Sequence, residues 1–306
     1  MPTLHPLPEK GRRNVSESCF HTIVNHRQRH MVVERASGRC LGALAVNHYR
    51  PFVFPLYSPS GYTVLEECPP DHPFHNGFFV GQQPVFAGER EGNFWATPPQ
   101  VSSSDRLLEL MGRMETRAIR TEEHDRGVRF VLDCVWVDEY EEPMLHETRT
   151  IDLFAESDGT VCDMVSAKTA AYGPLRYPPT KHGSVGMRVE QRLLPDHGGA
   201  VIGAEGRRGK ADAVHEQDSA YIAYESALAR GQDVVGVFMT RLHDDVPGVW
   251  FVRDYGMAMY DSTLREEIAT GEGESWSVGV RVVAYDGPLD DDRAGRWIGA
   301  ASPTTS

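Results

Sequence analysis

Residues 277–284 read SVGVRVVA and residues 129–133 read RFVLD, and both alternate with a period of two. Successive side chains of an extended chain point to opposite faces, so each stretch buries one side and shows the other to water or a groove. Short alternating or β-branched stretches recur outward from these two: Phe20–Val24, Met31–Arg35, Gly42–Val46, Phe52–Leu56, Gly127–Val137, Thr148–Phe154, Val161–Ala167, Gly186–Leu194, Tyr221–Tyr224, Val234–Met239, Trp250–Arg253 and Trp276–Tyr285. Turn residues such as Ser58-Pro59-Ser60-Gly61, Ser157-Asp158-Gly159 and His197-Gly198-Gly199 punctuate them. This pattern predicts an all-β protein with few helices, a large antiparallel β-sandwich. Helical signals are confined to Ser104–Met114, with Ser104 as cap, and to a turn or two within Ser262–Thr270.

The chain has 306 residues, within reach of a single large sandwich. Residues 1–18 and 288–306 read as polar tails around one domain spanning 19–287, with Trp297 as a residue able to tuck back. Forty-four acidic residues against 31 basic ones give a formal charge of −13, with the acids scattered along the chain. Nucleic acid and anionic membranes both need a basic surface, so neither is an expected partner. The polar start MPTLHPLPEKGRRN and the lack of a long apolar run predict a cytoplasmic protein. Five cysteines without a Cys-x-x-Cys pair fit neither a disulfide framework nor a structural zinc site.

The most unusual chemistry lies in Asp71-His72-Pro73-Phe74-His75-Asn76-Gly77, preceded by Pro69-Pro70. His72 and His75, three apart, converge only if the loop turns, and Pro73 favours a turn. Convergent histidines suit either a metal, with Asp71 as third or second-sphere ligand, or proton transfer near neutral pH. Four further polar stations accompany this loop. Arg50-Pro51 leads a Pro-stiffened extended segment. Glu147 and Arg149, two apart on a strand, point the same way and can pair with each other or bracket a polar ligand. Lys181, beside His182, ends a second Pro-stiffened loop. Trp250, Arg253, Asp254 and Tyr255 join aromatics to an Arg-Asp pair, either bridging loops or binding a polar substrate.

Taken in order, these segments resemble the bacterial PmoA-like family, which carries the label "methane oxygenase PmoA". That family has an Arg-Pro-Tyr strand, an Asp-His-Pro-His-His-Arg-Gly loop, a Glu-x-Arg strand, a Lys-x-Gly turn and a Trp-His-Val-Arg-Asp-Tyr-Gly segment. Arg50 and Pro51 match the first, and Asp71, His72, Pro73, His75 and Gly77 the second. Glu147 and Arg149 match the third, Lys181 and Gly183 the fourth, and Trp250, Arg253, Asp254, Tyr255 and Gly256 the last. Phe74, Asn76 and Phe251 depart from the pattern, standing where the family has His, Arg and His. The resemblance spans roughly residues 30 to 285. It implies a β-sandwich similar to galactose-mutarotase-like and other carbohydrate-active folds, and hence a sugar-like ligand.

Three functions follow as expectations. The first is an enzyme of lyase, hydrolase or epimerase type acting on a sugar or oxidised sugar. His72 or His75 would move a proton while Arg50, Lys181 or Arg253 stabilises an enolate, or a divalent metal held by His72, His75 and Glu147 would do so. The second is a carbohydrate-binding or sensing protein without catalysis, using Trp250, Tyr255 and Arg253 as its platform. The third is a metal-dependent oxygenase, as the family label suggests. Methane oxidation itself is set aside, because the membrane methane monooxygenase subunit of that name spans the bilayer and this sequence holds no spanning segment.

Overall fold

The computed structural model describes residues 18–97, 110–228 and 233–299. Within them two large antiparallel sheets face each other. The first has eight strands in the order Phe20–Val24, His30–Glu34, Cys40–Val46, Pro51–Leu56, Phe78–Gln82, Gly183–Arg188, Met257–Asp261 and Val249–Val252. The second has nine, and its centre is the run Asp233–Asp244, Ser275–Asp286, Gly159–Thr169, Pro143–Ala155 and Gly127–Val137. A small third sheet joins Ile268–Thr270, Leu175–Tyr177, Val85–Ala87 and Arg90–Gly92.

The period-two alternation holds, although the outer side of SVGVRVVA is covered instead of open to water or a groove, with Arg281 and Val283 both buried. Val278, Val280 and Val282 from one alternating stretch, and Phe130 and Leu132 from the other, enter the core between the large sheets. Val283 instead belongs to a separate cluster on the outer face of the second sheet. Each inward Val or Leu contributes on the order of 1.5–3 kcal/mol by leaving water. No helix among the described residues is long and apolar enough to cross a membrane.

Three expectations change. The helix read over Ser104–Met114 falls mainly on residues outside those described, and its end does not stay helical: Met111 bridges Asn93, and Arg113 opens the strand Arg113–His124. Ser262–Thr270 becomes a turn followed by the strand Ile268–Thr270, because that strand finds a partner in Leu175–Tyr177. The segment after residue 287 is not all tail. Helix α1, Asp291–Gly299, lays Ala294 and Trp297 on the outer face of the second sheet against Phe238 and Tyr285. Arg281 fixes it there by donating to the Trp297 carbonyl at 2.8 Å.

The two sheets therefore differ on their outer faces. The second is covered by α1. The first carries its own apolar cluster, in which Phe79, Met257, Met259 and Phe251 pack with Trp95 under loops from several strand ends.

Candidate functional site

The Asp71–Gly77 loop turns as its prolines suggested. The His72 N–H donates to the Pro69 carbonyl and the His75 N–H to the His72 carbonyl, at 3.1 and 2.9 Å. That turn stacks the two imidazoles, with ring centroids 4.8 Å apart and 7° between planes. Gly77 releases the chain with φ +59, and a Cβ there would lie 2.2 Å from the Val53 carbonyl oxygen. Only glycine meets both demands.

His72 is held on two sides. Its other face stacks on Tyr255 at 4.8 Å, and its Nδ1 lies 2.8 Å from Asp71 Oδ2. Arg188 Nη2 in turn donates to both Asp71 oxygens, at 2.7 and 2.8 Å. Burial alone would raise the Asp71 carboxyl, but its bonds from Arg188 and His72 hold it below the usual carboxylate range. An ionised Asp71 keeps the proton on His72 Nδ1 and leaves Nε2 as the free ring nitrogen. His75 is different. It is 1% exposed, and burial, reinforced by His72, Arg188 and Arg50, pushes it down to about 2. It is therefore a neutral ring, and its buried Nδ1 has no hydrogen-bond partner among the described residues. Two histidines that look equivalent in the sequence differ in their surroundings: His72 is bonded to a carboxylate, and His75 is a buried neutral ring.

Both line a cleft of about 340 Å³ on the outer face of the first sheet. Phe74, Trp95, Phe251 and Tyr255 form its apolar walls, and Gln83, Lys181, His182 and Arg253 its polar ones. Trp95 reaches its place because residue 81 is glycine: a Cβ there would lie 2.8 Å from the indole. His182 is pushed down to about 4 by burial and then by the adjacent Lys181 ammonium.

Of the residues singled out in the sequence, His72, His75, Lys181, Arg253 and Tyr255 line this cleft, and Asp71 stands one bond behind it. The others do not line it. Trp250 points into the core, because on Val249–Val252 it alternates with Phe251; its indole N–H donates to the Ser219 carbonyl at 2.7 Å. Asp254 accepts from the Ala211 N–H at 2.7 Å. Arg50 is 1% exposed, donates to the Trp95 carbonyl and lies 5.3 Å from the Phe79 ring centroid, supporting the cleft's floor. Burial, followed by the nearby Arg149, pushes its guanidinium down to about 9.

Glu147 and Arg149 pair, as their spacing allows, but in the core of the second sheet. Arg149 donates to both Glu147 oxygens at 2.9 and 2.8 Å, and both side chains are fully buried. Ser166 and Trp136 complete the carboxylate's bonds at 2.6 and 2.7 Å. A metal on His72, His75 and Glu147 is thereby corrected. Glu147 has its oxygens filled elsewhere, and no three His, Cys, Asp or Glu side chains among the described residues are grouped to hold an ion.

Sequence reasoning missed Arg188, Trp95 and Phe251 as site residues. Arg188 carried a signal, since it is a lone cation ending the apolar strand Gly183–Arg188. Phe251 and Phe74, noted only as departures from a family pattern, are cleft walls.

No curated protein matches the sequence. Among solved structures, an alpha-galactosidase from Lactobacillus brevis is similar over 88% of this chain at 8% identity and a TM-score of 0.39; this chain spans 40% of the galactosidase's length. A putative aldose 1-epimerase from Escherichia coli K12 is similar over 88% of this chain and 99% of its own, at 12% identity and a TM-score of 0.33. A galactose mutarotase related enzyme from Lactobacillus acidophilus is similar over 89% and 98% of the two chains, at 9% identity and a TM-score of 0.32. Residues 42–298 match a family of unknown function, DUF6807, and the chain belongs to that family.

Proposed function

We propose that the cleft is the active site of an enzyme that moves protons on a sugar or oxidised sugar, with His72 as its acid–base group. The observation that carries this reading is the Arg188–Asp71–His72 chain opening onto an aromatic-walled cleft. Asp71 fixes the imidazole's tautomer and orientation and stabilises the imidazolium that forms when Nε2 takes a proton. Arg188, 4% exposed, holds Asp71 ionised and in place. The aromatic walls give the cleft an apolar lining that suits the C–H groups of a sugar ring, while Lys181 and Arg253 supply charge for an oxyanion developing beside a proton-transfer centre. Elimination and epimerisation next to a carbonyl both use that pairing of a base with an oxyanion stabiliser.

The test is a panel of aldoses, for mutarotation by polarimetry, and of 3-keto-glycosides, for elimination by absorbance. A compound turned over by the native protein should react about 100-fold or more slowly with His72→Gln, at an unchanged melting temperature. Equal turnover would remove His72 from the reaction. Saturable binding without turnover, indifferent to the substitution, would make the cleft a receptor site.

A further inference from the structure

We infer that the ligand of this cleft carries an anionic group, a carboxylate or phosphate borne on the sugar, an inference that rests on reading the cleft as a sugar site. The chain is acidic, with 44 Asp and Glu against 31 Lys and Arg, yet no carboxylate lines the cleft among the described residues. The two nearest in sequence to its wall residues are already engaged. Asp71 is bonded to Arg188 and His72, and Asp254 Oδ1 accepts from the Ala211 N–H. Lys181 and Arg253 both line the cleft, and neither has an ion-pair partner among the described residues. Arg253 is instead laid over the Phe251 ring, 3.9 Å from its centroid, with one N–H on its neighbour's carbonyl.

Hydrogen-bonding capacity points the same way. A neutral sugar presents hydroxyl protons that need acceptors, which ionised Asp and Glu provide best. Lys and Arg side chains only donate, so their pairing here suits a ligand rich in acceptor oxygens. The buried Nδ1 of His75, on a residue 1% exposed and without a partner among the described residues, is a further polar atom on this wall. With His75 and His182 both neutral near pH 7, Lys181 and Arg253 are the fixed charges there, matching the one or two negative charges of a carboxylate or phosphate.

Isothermal titration calorimetry on the full chain tests this with D-glucose, D-glucuronate, D-glucose 6-phosphate and inorganic phosphate, at low and high salt. One of the two anionic sugars should bind about tenfold or more tightly than D-glucose and weaken as salt is added. Which of them does so separates carboxylate from phosphate. The Lys181→Gln, Arg253→Gln double variant should lose about tenfold or more for the anionic sugar and clearly less for D-glucose, with its melting temperature retained; an equal loss for both would overturn the inference. D-glucose binding as tightly as both anionic sugars would overturn the inference and leave the sugar reading standing. Inorganic phosphate binding as tightly as either sugar anion, and weakened by the double variant, would support the anion site while removing the sugar from it. Binding of none of the four would overturn the inference.

Discussion

Two carboxylate–guanidinium pairs share their chemistry and behave as opposites in the fold: Glu147 and Arg149 stand two apart on one strand, while Asp71 and Arg188 meet across 117 residues. Glu147 and Arg149 are fully buried, and Glu147's oxygens are filled by Arg149, Ser166 and Trp136. Lys168 completes this group: its ammonium is also buried, lying 4.2 Å from the Trp276 ring centroid and pushed down to about 8 by burial. Asp71 and Arg188 are asymmetric, with Arg188 4% and the Asp71 side chain 42% exposed, and the carboxylate hands its second contact to an imidazole that meets a cleft. A buried pair whose bonding is complete has nothing left for a ligand. A pair at the edge of a cavity, bonded on one side, passes its charge to the group beyond it.

The largest effect should come from breaking the first pair. Glu147→Ala leaves Arg149 and Lys168 buried without their counter-charge, and a cost of about 3–5 kcal/mol is expected in urea unfolding. A loss below about 1 kcal/mol would show that water reaches the network, and the contrast with the cleft would fail.

Acid should separate the two regions by pH window. His75 is held near 2 in the fold against 6.5 unfolded, so the unfolded chain binds the extra proton. Its contribution is therefore present above pH 6.5 and is lost as pH falls below it, at a slope of at most about 1.4 kcal/mol per unit. Glu147, at about 2 against 4.5, loses its contribution only below about 4.5. His182, held at about 4, acts in the same sense as His75. Asp261, pushed up to about 7 by burial, acts in the opposite sense over the same range. The native protein's profile is thus a sum, and the difference from His75→Phe isolates the imidazole. Urea midpoints against pH should fall less steeply from 6.5 to 4.5 in that variant, by roughly 2 kcal/mol in total. Identical slopes would mean that the ring is solvated in the fold.

The sheets were legible because period two survives any tertiary context that buries one face: SVGVRVVA and RFVLD needed nothing else. Faces were harder to assign. Trp250 and Phe251 are neighbours, and which of them meets the cleft depends on which side of Val249–Val252 the second sheet packs, a long-range fact absent from the local pattern. For the same reason Glu147 and Arg149, whose spacing allowed either a pair or a ligand-bracketing role, turn out to pair inside the core. The Asp71–Gly77 loop was legible as a candidate site because prolines and a required glycine fix its own geometry. Its partner Arg188 comes from 117 residues away and carried no motif.

The smallest stability change and a large catalytic one should come together in Asp71→Asn. An amide oxygen can still accept from Arg188, which keeps the loop anchored, and the exposed carboxylate's ion pairs are worth about 1 kcal/mol or less. What the amide removes is the charge that keeps the proton on His72 Nδ1 and stabilises the imidazolium. Turnover of whatever substrate the native protein accepts should then fall by about 10²–10⁴, with the melting temperature nearly unchanged. If instead Asp71→Asn unfolds the protein as readily as Glu147→Ala, both pairs are structural, and the cleft's chemistry must be sought at Lys181 and Arg253 rather than at His72.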